Sequence, residues 1–392
     1  MAMGGRLAVL VAATVSTVVA LTSLVLLRAE QGAGAPEALD PTTSQLGAAD
    51  ASTAAARLEN PPDPSELPSL GLQFHGTWTH YDADERAEVL DRIEASGARW
   101  VRLDIGWAML EPQPGVFDTS WGRPLVDEVM DQLRERDLKV LVMFWLTPSW
   151  ASSESDAFTA QYTSPDDPAD YATALGRVAQ RWGDVVDAYE IWNEPNLEVF
   201  YHGTDPETYT DLLCASYPVV KRADPDARVV FGGLMYNDDD WLQRAYDAGV
   251  GGCYDVMSVH SYQAPADSPP SVVDDGEVWN LRNLDEVRDT MIENGDRLPI
   301  WITEFGWSVH ENEPDTEPWR RGVDEATQAR YAAEALILLA EDFPYVGVAF
   351  WYKDAVNDES TDLHQEGYAM LDEDRRPRPV WRTFRDLYGM TR

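Results

Sequence analysis

From Leu72 onward, eight short apolar runs of strand length alternate with amphipathic segments. They are LQFHG (72–76), RWVRLDI (99–105), KVLVMFW (139–145), VVDAYEIW (185–192), RVVFGG (228–233), DVMSVHSY (255–262), PIWITEF (299–305) and GVAFWY (347–352). Helix signals fill the gaps. Asp82 with Glu85 forms a capping box before VLDRIEASG, Gly97 stands where that helix would stop, and Asp205-Pro206 opens ETYTDLLCASY with a cap and a first-turn proline. Residues 323–339 carry a long Ala/Leu-rich helical pattern, and PVWRTFRDLY near the C-terminal end carries another. Such strict alternation over eight units is the requirement of an α/β fold of the (β/α)8 TIM-barrel type. An open doubly wound sheet shares the alternation, but no GxGxxG or GxxxxGKS/T segment follows an early strand, so its usual phosphate-binding turn is missing.

The expected organisation is an N-terminal signal anchor or signal peptide (1–28), an Ala/Gly/Pro-rich linker (29–68) and one barrel domain (69–392). Leu7–Leu27 is an uncharged, mostly apolar run of 21 residues between Arg6 and Arg28. That length suits a bilayer span better than a cleaved signal core, which favours an uncleaved anchor. Either way the barrel is expected outside the cell, tethered to the membrane or secreted, with membrane contact only through this segment. The linker has few large apolar residues, so burial cannot offset the entropy of ordering it. The 392-residue chain has 30 Lys+Arg against 69 Asp+Glu, a formal charge of −39. Nucleic acid is thereby an unfavourable partner, as are polyanionic sugars unless Arg102 or Lys353 builds a local basic pocket. Cys214 and Cys253 fit either one disulfide or two buried thiols, and lack the number and spacing of a zinc site.

Functional side chains of such a barrel come from the C-terminal ends of its strands. Trp192-Asn193-Glu194-Pro195 closes the fourth run and Glu304 closes the seventh, three units on and across the mouth. One protonated and one ionised carboxyl group flanking a bond are what glycoside hydrolysis needs. Alternation along each strand groups Trp100, Arg102 and Asp104; Glu190, Trp192 and Glu194; Ser258, His260 and Tyr262; and Ile300, Ile302 and Glu304. If those faces point inward, Arg102 keeps a partner carboxylate ionised, Tyr262 orients it, and Asn193 is beside Glu194 to bind a sugar hydroxyl. Glu190, deeper in the strand, reads as half of a structural ion pair. His260 reads as a substrate contact or a core histidine, and His75, ending the first strand, as a pocket residue. Among 15 tryptophans, Trp145, Trp150, Trp192, Trp307 and Trp351 fall near strand C-termini, where indole can stack on sugar C–H faces. Six scattered histidines give no His-x-His cluster, so neither a metal nor a cofactor is expected. The reading outside enzymology is a non-catalytic glycan-binding barrel.

Asn-Glu-Pro at the fourth strand, Glu-Phe-Gly at the seventh, His-Ser-Tyr at the sixth and an arginine in the second resemble clan A retaining glycoside hydrolases over residues 70–390. Within the clan, WVRLDIGWAMLEPQPGVFD, TPSWA and YEIWNEPN are most similar to family 39 and family 5 enzymes. The resemblance implies Glu194 as acid/base, Glu304 as nucleophile, Asn193 on the 2-hydroxyl, Arg102, His260 and Tyr262 supporting the carboxylates, and Trp351 under the sugar. It implies a carbohydrate substrate, an extracellular oligo- or polysaccharide, for a retaining β-glycosidase expected to be monomeric. Family 39 members often carry an extra β-sandwich, for which this chain has no room, so a family 5-like or endo-acting enzyme is favoured.

Overall fold

The computed structural model describes residues 61–272 and 280–389, together with Leu58. Leu7–Leu27 and the linker up to residue 57 lie outside them. No helix among the described residues is long and apolar enough to cross a membrane.

The described strands are β1 (Ser69–Phe74), β2 (Trp100–Gly106), β3 (Lys139–Trp145), β4 (Ala188–Ile191), β5 (Arg228–Val230), β6 (Leu234–Met235), β7 (Met257–His260), β8 (Ile300–Phe305) and β9 (Val346–Trp351). They pair in parallel in the order β5-β4-β3-β2-β1-β9-β8-β7-β6. A parallel bridge between Val230 and Val256 joins the two ends of this curled sheet. The architecture is TIM-barrel-like. Eight runs yield nine strands because the fifth is interrupted over 231–233, where a Cβ on Gly232 would lie 2.7 Å from the Ile191 carbonyl oxygen.

Helices cover the outside. Helix α1 (Ala83–Ala95) starts with both halves of the Asp82/Glu85 capping box, and α2 (Pro168–Trp182) has Asp167 as its cap and Pro168 in the first turn. In α3 (Pro206–Ala223) the Asp205 carboxylate accepts the Thr208 N–H. Helices α4 (Glu325–Asp342) and α5 (Pro379–Leu387) lie toward the C-terminal end. Cys214 of α3 is disulfide-bonded to Cys253, which pins this helix to the segment leading into β7.

Two apolar layers result. Trp100, Leu141, Ala188, Val230, Val256, Trp301, Val348 and Phe350 form a separate buried cluster. The Trp100 and Trp301 rings meet at 4.9 Å although β2 and β8 are not neighbours, so this cluster fills the inside of the curl. Gly71 of β1 leaves room for it, since a Cβ there would lie 2.3 Å from the Phe350 ring. A larger cluster packs between sheet and helices and includes Ile300 and Ile302. Each such fully buried side chain contributes roughly 1.5–3 kcal/mol. Above the inner cluster the strand ends turn polar, and there the cavity opens.

Candidate active site

Arg102, in the middle of β2, anchors the site from below. Its Nε donates to Glu190 Oε2 at 2.6 Å, its Nη1 to Gln73 Oε1 at 2.9 Å and Glu304 Oε1 at 2.5 Å, and its Nη2 to Asn193 Oδ1 at 2.8 Å. Glu190 is fully buried and also accepts from the Ser258 hydroxyl at 3.1 Å, so its charge is balanced inside the protein. Such a pair is costly to break from one side, which fixes the guanidinium for its other partners. Lys353 lies outside the cavity, buried, with its Nζ 2.8 Å from Glu366 Oε2. Both cations considered for a basic pocket are therefore neutralised by acids.

Glu304 ends β8. The Tyr262 hydroxyl donates to its Oε2 at 2.9 Å, while Arg102 holds its Oε1. Glu194 faces it from the end of β4, with Oε1 2.6 Å from His260 Nδ1. Ligand atoms of Glu194, His260 and Glu304 lie within 4.8 Å of one another. This trio has the spacing to surround a cation, but the Arg102 guanidinium at 2.5 Å from Glu304 already supplies positive charge there and would repel a second.

Burial is the largest influence on both carboxyl groups. It pushes Glu194 well above the usual carboxylate range, and the charge of Glu304 adds to the push. Glu304 is raised by burial too, but Arg102 and the Tyr262 hydroxyl pull it back. Glu304 thus ionises first and Glu194 retains the proton. His260, in contact with Glu194, is held well below 6.5 by burial and then by Arg102, and so is neutral. A neutral imidazole can exchange a hydrogen bond with a protonated acid without competing for its charge.

The backbone achieves this placement by leaving the strand conformation. Trp192 has φ 71° and Glu194 φ 44°, a left-handed geometry that costs on the order of 1–3 kcal/mol per residue. The turn sends the Trp192 indole into the outer layer, 5.5 Å from the Tyr201 ring with Nε1 donating to the Phe200 carbonyl at 2.8 Å. It sends Glu194 into the cavity. In β8 the register against its neighbours shifts between Ile302 and Phe305. Simple alternation grouped Glu304 with Ile300 and Ile302, but those two face the helices, and the irregularity turns Glu304 inward.

The cavity, about 300 Å³, is lined by His75, Arg102, Trp145, Asn193, Glu194, Tyr262 and Glu304 of the residues singled out by sequence. His75 is fixed by Nδ1 at 2.8 Å from Asp354 Oδ1 and by its N–H to Oδ2 at 2.9 Å. His260 is fully buried just behind the cavity. Trp351 and Trp307 lie elsewhere, which corrects their reading as sugar platforms. Trp351 donates Nε1 to the Tyr368 carbonyl at 3.0 Å and packs 5.4 Å from Phe384 of α5, and Trp307 donates to the Ser268 carbonyl at 2.8 Å. The reason is parity: Val348 and Phe350 fill the inside of β9, so the next inward side chain is Tyr352, which lines the cavity. Trp150 is likewise turned to the Trp107 ring, at 5.4 Å. Sequence reasoning missed Trp78, Tyr236, Trp319, Tyr352 and Tyr368, all lining. Only Tyr352 carried a signal, as the third aromatic of GVAFWY.

Several lining polar atoms have no protein partner: Asp104 Oδ1, Trp145 Nε1 and both amide atoms of Gln263.

Comparison with known proteins fits this geometry. A β-xylosidase from Caldicellulosiruptor saccharolyticus is 23% identical over 280 residues, 67% of this chain and 55% of that protein, so the chain spans about half the length of this relative. A family 39 glycoside hydrolase from Bacteroides cellulosilyticus WH2 superposes with a TM-score of 0.62 at 20% identity, covering 83% of this chain and 64% of that one. A monomeric β-xylosidase from Caulobacter crescentus CB15 gives 0.60 at 17% identity, covering 83% and 68%. GH5_18 from Streptomyces cattleya, in complex with GlcNAc, gives 0.62 at 18% identity, covering 82% and 80%. The sequence model of cellulase (glycosyl hydrolase family 5) matches residues 63–337. The chain belongs to this family of clan A glycoside hydrolases, glycosyl hydrolase family 5.

Proposed function

We propose that the protein is a retaining β-glycosidase on a (β/α)8 barrel, acting on an extracellular saccharide. The observation that carries this reading is the opposition of Glu194 and Glu304 within 4.8 Å, with Arg102 and Tyr262 bonded to Glu304. A spacing of about 5 Å leaves no room for a water between carboxylate and sugar, which supports direct attack by one carboxylate. Glu304 attacks the anomeric carbon while Glu194 gives its proton to the departing oxygen, so the glycosidic C–O bond breaks as the ester C–O bond forms. Glu194, now ionised, takes a proton from water, whose oxygen attacks the same carbon and releases Glu304. Two inversions restore the β configuration. Asn193, held by Arg102, has its amide N–H₂ free for the sugar hydroxyl next to the reacting carbon. The Cys214–Cys253 disulfide supports an exported protein, as does the Leu7–Leu27 run. We assign a monomer, the state named for the Caulobacter enzyme.

The test is the anomeric configuration of the first product, followed by NMR on xylan, mannan, β-glucan and aryl β-glycosides. The expected first product is the β anomer, with turnover lost in Glu304→Gln. A product appearing first as the α anomer overturns double displacement.

A further inference from the structure

The cavity is polar where β1 and β2 end, and along the turn after Glu194 it is mainly aliphatic and aromatic, with Glu198 and Tyr236 beside them. Gln73, His75 and Asp104, at the ends of β1 and β2, form the polar side, where Asp104 Oδ1 is without a partner. The other side is the turn that follows Glu194. Leu197 donates its N–H to the Glu194 carbonyl at 2.9 Å, and the Phe200 and Tyr201 N–H groups return to the Leu197 carbonyl at 3.0 and 2.9 Å. This compact turn carries Leu197, Val199 and Phe200 to the cavity, half-buried, beside half-buried Met235.

Of the polar side chains of the same turn, Asn196 is engaged on both amide atoms, and Glu198, exposed at the cavity, on one carboxylate oxygen. Asn196 Nδ2 donates to the Met235 carbonyl at 3.1 Å and to Asp238 Oδ2 at 3.2 Å, and its Oδ1 accepts the Met235 N–H at 3.0 Å. Glu198 accepts the Gly203 N–H at 2.8 Å. A proton donor must stand on the leaving-group side of the bond it breaks, so the residues on Glu194's own turn face the group that departs. A second sugar placed there would bury hydroxyls against aliphatic side chains, at about 1–3 kcal/mol for each one left unpaired. An alkyl or aryl group would bury apolar surface instead.

From this geometry we infer that the leaving-group subsite, built from Leu197, Val199, Phe200 and Met235, accepts an apolar aglycone, so that the preferred substrates are β-glycosides of hydrophobic alcohols rather than polysaccharides. The inference rests on the glycosidase reading and narrows it. The experiment compares methyl, butyl and hexyl β-D-glucosides, xylosides and mannosides with the corresponding β-linked disaccharides. These alcohols differ little in acidity, so the series reports binding of the chain and not leaving-group chemistry. For the accepted glycone, kcat/KM is expected to rise about tenfold or more from methyl to hexyl. The hexyl-to-methyl ratio is expected to collapse in Leu197→Asn, and the wild-type series decides the matter if that variant does not fold. Hydrolysis without chain-length dependence, or a disaccharide outperforming the hexyl glycoside, overturns the aglycone assignment alone. No hydrolysis of any of these glycosides overturns the glycosidase reading with it.

Discussion

Glu194 meets two demands that oppose each other. As a proton donor it must hold a proton at neutral pH, and it does so because burial, then the nearby charge of Glu304, make its ionised form unfavourable. The same environment makes the folded state hold a proton that the unfolded chain releases near 4.5. The stability tied to that proton is fully present below the unfolded value and is lost as pH rises through the folded one. Glu194→Gln is a neutral near-isostere and removes this loss. The variant is expected to melt at a higher temperature than the wild type at about pH 8, with the gap closing toward about pH 5, read by thermal melts across that range. Its kcat is expected to fall by about 10²–10⁴-fold, and the alkaline limb of the wild-type kcat/KM profile to disappear. A melting difference that is the same at both pH values would sink the assignment of Glu194 as the high-pKa partner. Stability is here traded for chemistry at a single side chain.

At the scale of elements, the site depends on a break in the fifth strand. A Cβ on Gly233 would lie 2.2 Å from His260 Nε2 and 2.8 Å from Thr303 Oγ1, so the histidine ring occupies the space the glycine leaves. Gly233→Ala must shift that ring and with it the 2.6 Å contact to Glu194. The expected result is a kcat reduced by about ten- to a hundredfold and a loss of about 1–3 kcal/mol of stability from overpacking. Gly251→Ala, which meets nothing within 4 Å, serves as the silent control in the same assays. The break also marks where the sequence stopped being readable. The capping box that starts α1 and the Asp205-Pro206 start of α3 are local chemistry and were legible, as were the apolar runs of the sheet. Glu194 and Glu304 could be singled out because acids closing apolar strands are unusual in any sheet, and Arg102 because a cation within such a strand is. Departures from strict alternation were not legible. The left-handed Trp192 and Glu194, the shifted register in β8 and the outward Trp351 each depend on how neighbouring strands and helices pack, which a two-residue period does not encode. The aromatic residues on loops, such as Trp319, reach the cavity only through chain contacts distant in sequence, among them Arg320 with Asp362 at 2.7 Å.

The whole molecule carries a formal charge of −39, and its response to salt follows from which charges screening affects. The Arg102 cluster is buried and changes little with ionic strength. Exposed pairs such as Arg134 with Asp184, at 2.8 Å, are weakened by salt, but each contributes only about 0–1 kcal/mol. Against them stand 69 acids facing 30 bases, whose mutual repulsion acts over distances longer than a hydrogen bond and is greatest in the compact state. Added salt shortens the screening length from about 30 Å at 0.01 M to about 3 Å at 1 M, removing the long-range repulsion before the short-range pairs. The net effect is stabilising. Thermal melts in sodium chloride from about 0.01 to 0.5 M are expected to show a melting temperature that rises by several degrees and then levels off, with the steepest part below about 0.1 M. A melting temperature that falls over the same range would mean that surface ion pairs outweigh the net charge, and that the acidity of this surface is locally compensated rather than a uniform repulsive field.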